Sequence, residues 1–453
     1  MGERLIVIGG TAAGLSAASK AKRLDPSMEI TVFERSGYIS YGACGLPYYI
    51  GGLISDPEDL VSLSVEQVTN ERHIPTFIHH EVVEVNRENK QVKVRNLDNG
   101  NLDTYPYDKL VIATGAVPVR PKIKGGDAKG VYYLRTVEDG IQIKRAALHA
   151  DTTVVSIIGG GFIGLELAEE LSNAGLSVHL FEMQSRLLSF LSESISQKVE
   201  AELQQHKIHV HLSTQVQEII STNGKVCGIL DSENYHVQTD IVIVCTGVRP
   251  STELAIQAGL KLGAKGAIAV NEEMQTSDPS IWAAGDCVEV LNRITGKMAY
   301  IPFGATANKQ GRIAGSNIAG QHKTFPGVVG SMITKTFDLY IAATGLTEEQ
   351  AVAEGYDVGT TIITKRDRAS YYPGGAENHI CFIFEKGTGR LLGAQAAGSE
   401  TVSGRINVLA TAITCKMTVE QISQLDLVYA PPVAPVYDPI IVAAEQALKK
   451  VRV

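Results

Sequence analysis

The sequence predicts an α/β protein containing two strand–turn–helix units of the same design, followed by a third region. Three observations lead there. The segment 4-RLIVIGGTAAGLSAASKAKRLDPSMEITVFER-35 passes from an apolar strand through a turn of small residues into an alanine-rich helix and a second strand. The segment 154-VVSIIGGGFIGLELAEELSNAGLSVHLFEMQSR-186 repeats that order. With 453 residues the chain exceeds one ordinary core, and 44 glycines beside 6% aromatics suit many tight strand–helix crossings better than an aromatic-rich sandwich.

In the first unit, Gly9, Thr11, Ala12, Ala13 and Gly14 form the turn and its entry to the helix. Small side chains there let backbone N–H groups and the helix N-terminus approach a pyrophosphate. Thr11 stands where the second glycine of the G-x-G-x-x-G fingerprint is expected. Glu34 closes the strand 30-ITVFE-34 and is placed to accept hydrogen bonds from a ribose. In the second unit Gly159, Gly161 and Gly164 complete the fingerprint, and Glu182 closes 178-VHLFE-182. A carboxylate there suits an unphosphorylated ribose and repels a 2′-phosphate, favouring NADH over NADPH, with Arg186 near enough to oppose that preference.

Two such units suggest two dinucleotides, one bound permanently and one exchanging. The stretches 108-DKLVIATGAVPVRP-121 and 240-DIVIVCTGVRP-250 are matching strand-then-Thr-Gly turns carrying Thr114, Gly115 and Gly247. Each follows a β-rich excursion that interrupts its unit. In 274-MQTSDPSIWAAGDCVEV-290 a strand ends at Gly285-Asp286, an acid well placed for the ribityl hydroxyls of a flavin.

A net charge of −8 supplies no basic field for nucleic acid. No apolar run reaches the roughly 18 residues of a membrane span, and with the first strand beginning at Arg4 no signal peptide is expected. Six scattered cysteines form neither a disulfide framework nor a metal-ligand spacing, so free thiols in a cytoplasmic protein without metal are expected.

GGTAAG with Glu34, then ATG, GGGFIG, CTGVRP and AAGD in that order, resembles the flavin-dependent pyridine nucleotide–disulfide oxidoreductases along essentially the whole chain. The resemblance implies tightly bound FAD on the first unit, with Arg35, Ser40 and Ala305 joining its small-residue turn, Glu34, Thr114, Gly115, Gly285 and Asp286. It implies NAD(P)H on the second, where Phe162 and Gly161 floor the nicotinamide pocket beside Ile163 and Gly164, with Glu182 and Gly247 also in contact. The helix opening in 301-IPFGATANKQGR-312 would face the flavin with its N-terminus. The implied layout is an FAD domain over 1–117 and 248–325, an NAD(P)H domain inserted at 118–247, and a C-terminal α+β dimerisation domain over 326–453 that makes a homodimer.

Within that family, 39-ISYGACGLPYYI-50, with its lone Cys44, resembles the single-cysteine branch: coenzyme A-disulfide reductases, NADH oxidases and NADH peroxidases. Oxidases and peroxidases of the branch carry a histidine where this chain has Ala12, which points toward a disulfide-type substrate. The resemblance further implies that Tyr371 and Tyr429 reach the other subunit's Cys44, with Tyr372 adjacent to the first of them. Lys20, Lys22 and Arg23, with Ser40 and Asn308, would bind substrate, the basic residues through its phosphates. Glu166 would tune the flavin.

Cys44 is expected to open a short helix, over about 44–50, whose N-terminus would lower its thiol pKa. Hydride from NADH would reach FAD, and two electrons would then open a Cys44 mixed disulfide. The released thiolate of Cys44 would attack the next disulfide, assisted by the two tyrosines. Coenzyme A disulfide, or a related persulfide or polysulfide, is the expected substrate, with coenzyme A itself as ligand or Cys44 adduct. The alternatives are an NADH oxidase or peroxidase cycling Cys44 through sulfenic acid, and a flavin-bound redox sensor with negligible turnover.

Overall fold

A computed structural model describes residues 2–451. Strand β1 (Arg4–Ile8) is buried along its last four residues and leads into helix α1 (Ala12–Leu24), which returns to strand β2 (Glu29–Phe33). Alternate small residues on α1 (Ala13, Ala17, Ala18, Ala21) let it lie close against the sheet. The sheet is fully parallel in the order 281–283, 109–112, β1, β2, 76–77. A three-stranded antiparallel ribbon over 80–106 interrupts it.

The second unit repeats this plan. Strand β3 (Val154–Ile158), helix α3 (Phe162–Asn173) and strand β4 (Ser177–Phe181) form the same turn. Their parallel sheet runs 131–133, 241–244, β3, β4, 209–211, and a three-stranded antiparallel ribbon over 216–238 occupies the equivalent place. The chain crosses between the units twice, and those crossings pair with each other as a ribbon of 116–118 against 248–250. Both sheets are buried on two faces, which explains their near-continuous Val, Ile and Leu runs.

Helix α4 (Gly304–Ile318) crosses α1 at very close range. A Cβ on Gly311 or Gly315 would strike the carbonyl oxygens of Ala13 and Ala17, so only glycine permits this approach. The C-terminal region is a five-stranded antiparallel sheet that begins with strand β5 (Met332–Thr336) and continues 339–345, 391–398, 377–385, 358–366 in spatial order. Helices α5 (Val402–Thr414) and α6 (Pro439–Leu448) cover it. No helix among the described residues is long and apolar enough to cross a membrane.

Candidate functional site

Both glycine turns end in helices with no side-chain cap and no acidic residue in the first turn, at Thr11 and at Gly161. Their first N–H groups are therefore free to receive an anion. In each turn the backbone is forced: Gly9 and Gly159 have φ of +104° and +115°, and a Cβ on Gly14 or Gly164 would strike the carbonyl oxygen of Gly9 or Gly159.

The two strand-end acids do the same work. Glu34 accepts from Gly10 N at 2.7 Å and from Ser36 N and Oγ at 2.8 Å. Glu182 accepts from Gly160 N and Gln184 N, both at 2.8 Å. Each carboxylate is thus pinned beside the turn it serves. Arg186 turns away, donating to the Ser189 carbonyl and to Glu349.

A cavity of about 490 Å³ runs along the first turn, bordered by Gly9, Thr11, Glu34, Arg35, Thr114 and Gly115. Its size and its cradle of small residues fit a dinucleotide such as FAD. Asp286 lies at the other side, paired with Arg135 at 3.1 Å, while Tyr300 donates to the Asp286 carbonyl at 3.0 Å. Gly285 N–H is held by Gln310 Oε1 at 2.9 Å, tying the Gly-Asp turn to α4, near whose start Ala305 lies. A second cavity of about 630 Å³ sits where the three regions meet, lined by Phe190, Tyr300, Phe303, Met332 and Thr344. At the start of α3, Phe162 meets Phe190 in a tilted pair with ring centroids 5.6 Å apart, next to the exposed Ile163.

Cys44 lies in a single 3-10 turn (Ala43–Gly45), and the helix proper, α2 (Leu46–Gly51), starts two residues later than the sequence suggested. Ser40, just before it, adopts a left-handed backbone at φ 48° and is tied by its N–H to the Gly10 carbonyl. Strain of this kind is held only where the surroundings over-determine it. Helix α2 buries Leu46, Tyr49 and Ile50 in one core with α3 residues such as Leu167 and Leu171. At about 1.5–3 kcal/mol for each buried large side chain, this anchors the segment that follows the thiol to the second unit, while Ser40, four residues before it, is tied to the first.

The expectation of a lowered Cys44 pKa is not met. Burial pushes the thiol up, with Glu166 and Asp286 acting in the same direction and Arg135 opposing them. A single 3-10 turn offers too little dipole to outweigh burial and two carboxylates. The residue is nevertheless exposed, and none of the six cysteines is in a disulfide. Burial also pushes Tyr48 to about 12, with Glu166, Glu169 and Glu170 contributing, so it stays a phenol. Glu166 is itself raised to about 7 by burial; Thr334 donates to it at 3.0 Å and opposes the rise, while Glu169 and Glu170 add to it.

Tyr371 and Tyr429, far apart in sequence, stand with their hydroxyls 3.4 Å apart on the C-terminal region. Both are exposed, amid an apolar surface that includes Val428, Val433, Val436 and Tyr437. Tyr372 is the less exposed of the adjacent pair. On α1, Ser16, Ser19, Lys20 and Arg23 share one face by their i, i+3, i+4, i+7 spacing. Asn308 accepts from Ser16 at 2.8 Å and Arg72 donates to Ser19 at 3.1 Å, bringing both to that face. Lys22 is elsewhere, its ammonium donating to the carbonyls of Pro26 and Met28.

Sequence reasoning missed Arg135, Thr334, Gln310 and Arg72. Arg135 had a signal: Thr136-x-x-Asp139 is a capping box that opens a helix, with the arginine directly before it. Thr334 had none, because only the packing of β5 against α3 brings it to Glu166.

The family model described as pyridine nucleotide-disulphide oxidoreductase matches residues 3–311, and the corresponding dimerisation-domain model matches 332–439. The chain is 42% identical to a protein of Pyrococcus furiosus named NAD(P)H sulfur oxidoreductase (CoA-dependent), across 98% of both chains. It is 40% identical to an NADH oxidase of Methanocaldococcus jannaschii, across 99% of both. The solved NAD-dependent persulfide reductase from A. fulgidus superposes with a TM-score of 0.95 at 42% identity, covering 99% of this chain and 83% of that one. With its two matched nucleotide turns and its antiparallel C-terminal sheet, this chain belongs to the pyridine nucleotide-disulphide oxidoreductase family.

Proposed function

We propose that the protein is an NAD(P)H-dependent flavoenzyme that reduces coenzyme A disulfide, or a related low-molecular-weight persulfide or polysulfide, at Cys44. The net reaction for the disulfide is R–S–S–R + NADH + H⁺ → 2 R–SH + NAD⁺. Bound FAD supplies the two-electron relay between nicotinamide and sulfur. The observation that supports the reading is the exposed Cys44, four residues after Ser40, whose N–H binds the Gly10 carbonyl of the first glycine turn, with none of the six cysteines in a disulfide. The substrate sulfur then completes the redox pair as a Cys44 mixed disulfide.

The chain's own residues divide the remaining work. Gly9, Thr11, Ala12, Ala13 and Gly14, with Glu34, Arg35 and Ser40, hold FAD on one side, and Thr114, Gly115, Gly285, Asp286 and Ala305 hold it on the other. Gly159, Gly161, Phe162, Ile163, Gly164 and Gly247 receive NAD(P)H. Glu182 disfavours a 2′-phosphate, and Arg186 is already engaged by Ser189 and Glu349, so NADH is preferred. Lys20, Arg23 and Arg72 offer a basic face to coenzyme A phosphates beside Asn308. In a homodimer formed through the C-terminal apolar surface, Tyr371 and Tyr429 serve Cys44 of the partner subunit by donating a proton to the departing thiolate.

The names of relatives support this reading: among four at 38–42% identity, two are named NAD(P)H sulfur oxidoreductase (CoA-dependent) and one NAD(P)H coenzyme A polysulfide/persulfide reductase. The fourth, the M. jannaschii NADH oxidase, favours a second reading in which Cys44 cycles through sulfenic acid. Mass spectrometry of Cys44 together with NADH consumption on coenzyme A disulfide, peroxide or oxygen decides between them. A coenzyme A adduct and fast disulfide turnover support the first reading; one added oxygen and faster turnover on oxygen or peroxide overturn it.

A further inference from the structure

We propose that Arg405 is a positioning residue that locks the loops carrying Tyr371 and Tyr429 into one rigid unit. This deepens the reading above, in which the two phenols act on Cys44 of the partner subunit.

Tyr371 sits in the connection between strands 358–366 and 377–385, and Tyr429 in the connection leading to α6. Exposure of 74% and 48% leaves neither ring clamped by its own surroundings. What joins the loops lies beneath them. Arg405, on the first turn of α5, is buried. Its Nη2 donates to the Asp367 carbonyl at 3.0 Å, at the start of the Tyr371 loop, and to Asp438 Oδ2 at 2.8 Å, at the end of the Tyr429 loop. Its Nε is shared between both Asp438 oxygens, and Nη1 donates to Thr401 Oγ1 at 2.6 Å.

Each aspartate in turn closes its own loop. Asp438 accepts from Ile440 N at 2.9 Å and so caps α6. Asp367, fully buried, accepts from Ala376 N at 3.0 Å and from Ser399 Oγ at 2.8 Å, pinching the Tyr371 loop at its base. The loops also touch directly, Ala369 N to Pro431 O at 3.3 Å.

A buried ion pair is a poor way to gain stability, since apolar replacements of similar volume are often neutral or better. It is a good way to fix geometry, because a guanidinium fork satisfies several acceptors only in one arrangement. Here that arrangement places two hydroxyls within 3.4 Å of each other. Lysine at this position keeps the charge for Asp438 but cannot span the Asp367 carbonyl and Thr401 together.

The test uses the holoenzyme with Arg405→Lys, Tyr371→Phe/Tyr429→Phe, and the triple combination. Two readouts are taken: titration of the two phenols by ¹³C NMR of Cζ-labelled tyrosine, and turnover on coenzyme A disulfide beside the rate of flavin reduction by NADH. The Tyr371 phenol is held above its ordinary pKa by its hydrogen bond to Tyr429. Arg405→Lys should return it toward the ordinary value, lower disulfide turnover about tenfold and leave flavin reduction unchanged. In the double-Phe background the same substitution should have no further effect on turnover. An unchanged Tyr371 titration in Arg405→Lys overturns the clamp. An equal loss of turnover with and without the tyrosines also overturns it, since Arg405 would then act elsewhere. Full turnover of the double-Phe protein overturns the catalytic reading of the tyrosines instead, and the titration alone then judges Arg405.

Discussion

Thr334 donates a 3.0 Å hydrogen bond to Glu166, so the first strand of the C-terminal sheet reaches the helix that opens the second nucleotide unit. Lys335, the next residue, pairs with Glu169 at 2.9 Å on the same helix. The same helix packs against α2, so Glu166, Glu169 and Glu170 act on the Tyr48 phenol and Glu166 acts on Cys44.

This placement makes Glu166 a pH-sensitive weak point. Burial raises its carboxyl from the ordinary 4.5 to about 7, so the folded chain holds a proton there that the unfolded chain has released. Glu166 therefore contributes stability below about pH 4.5, and loses that contribution as the pH rises to about 7. Glu166→Gln removes the titration. Its melting temperature relative to the parent should climb between pH 5 and 8 and level off above. Thr334→Val, which deletes the donor favouring the ionised form, should shift that window upward. A difference independent of pH across the range would show that Glu166 titrates normally.

Cys44→Ser should leave the protein yellow and able to accept hydride from NADH, because α2 is anchored by Leu46, Tyr49 and Ile50 rather than by the sulfur. Disulfide turnover should fall by at least about a thousandfold, since no serine alkoxide replaces the redox chemistry of a thiolate. Because the thiol is pushed up by burial, Glu166 and Asp286, alkylation of Cys44 in the apo-protein should be slow at neutral pH and accelerate above pH 9. Rapid alkylation at pH 7 without FAD would contradict that electrostatic account.

What the sequence showed and what it concealed separate along a physical line. Gly9, Gly14, Glu34 and their counterparts Gly159, Gly164 and Glu182 were legible because their roles come from local backbone: a forced φ, a helix start, a strand end. Cys44 was legible as a lone thiol, but its acidity was misjudged because its burial, and the approach of Glu166 and Asp286, come from other parts of the fold. Arg135 and Thr334 act only through tertiary contacts, as does the separation of Lys22 from the face that Lys20 and Arg23 share.

The first nucleotide turn tolerates no Cβ at Gly14. Gly14→Ala would force the new methyl into the Gly9 carbonyl and move the turn off its pyrophosphate geometry. The purified variant should be folded yet lose most of its FAD, read as the ratio of flavin absorbance to protein. The same change at Gly164 should spare FAD and raise the KM for NADH by at least about tenfold. Equal effects of both changes on flavin content would refute the assignment of one dinucleotide to each turn.

The proposed preference for NADH rests on Glu182 and can be tested there. Its carboxylate accepts from Gly160 N–H and Gln184 N–H, so a simple truncation would loosen the turn as well as remove charge. Glu182→Gln keeps an oxygen for Gly160 N–H while deleting the charge proposed to repel a 2′-phosphate. The ratio of kcat/KM for NADH over NADPH should fall about five- to tenfold, mostly through a lower KM for NADPH, the size expected when one partly solvated like-charge contact is removed. Adding Glu349→Ala should release Arg186 from its ion pair and lower the ratio further, because the freed guanidinium can then meet the phosphate. If Glu182→Gln changes both cosubstrates equally, the carboxylate serves the turn alone and cosubstrate choice is made elsewhere.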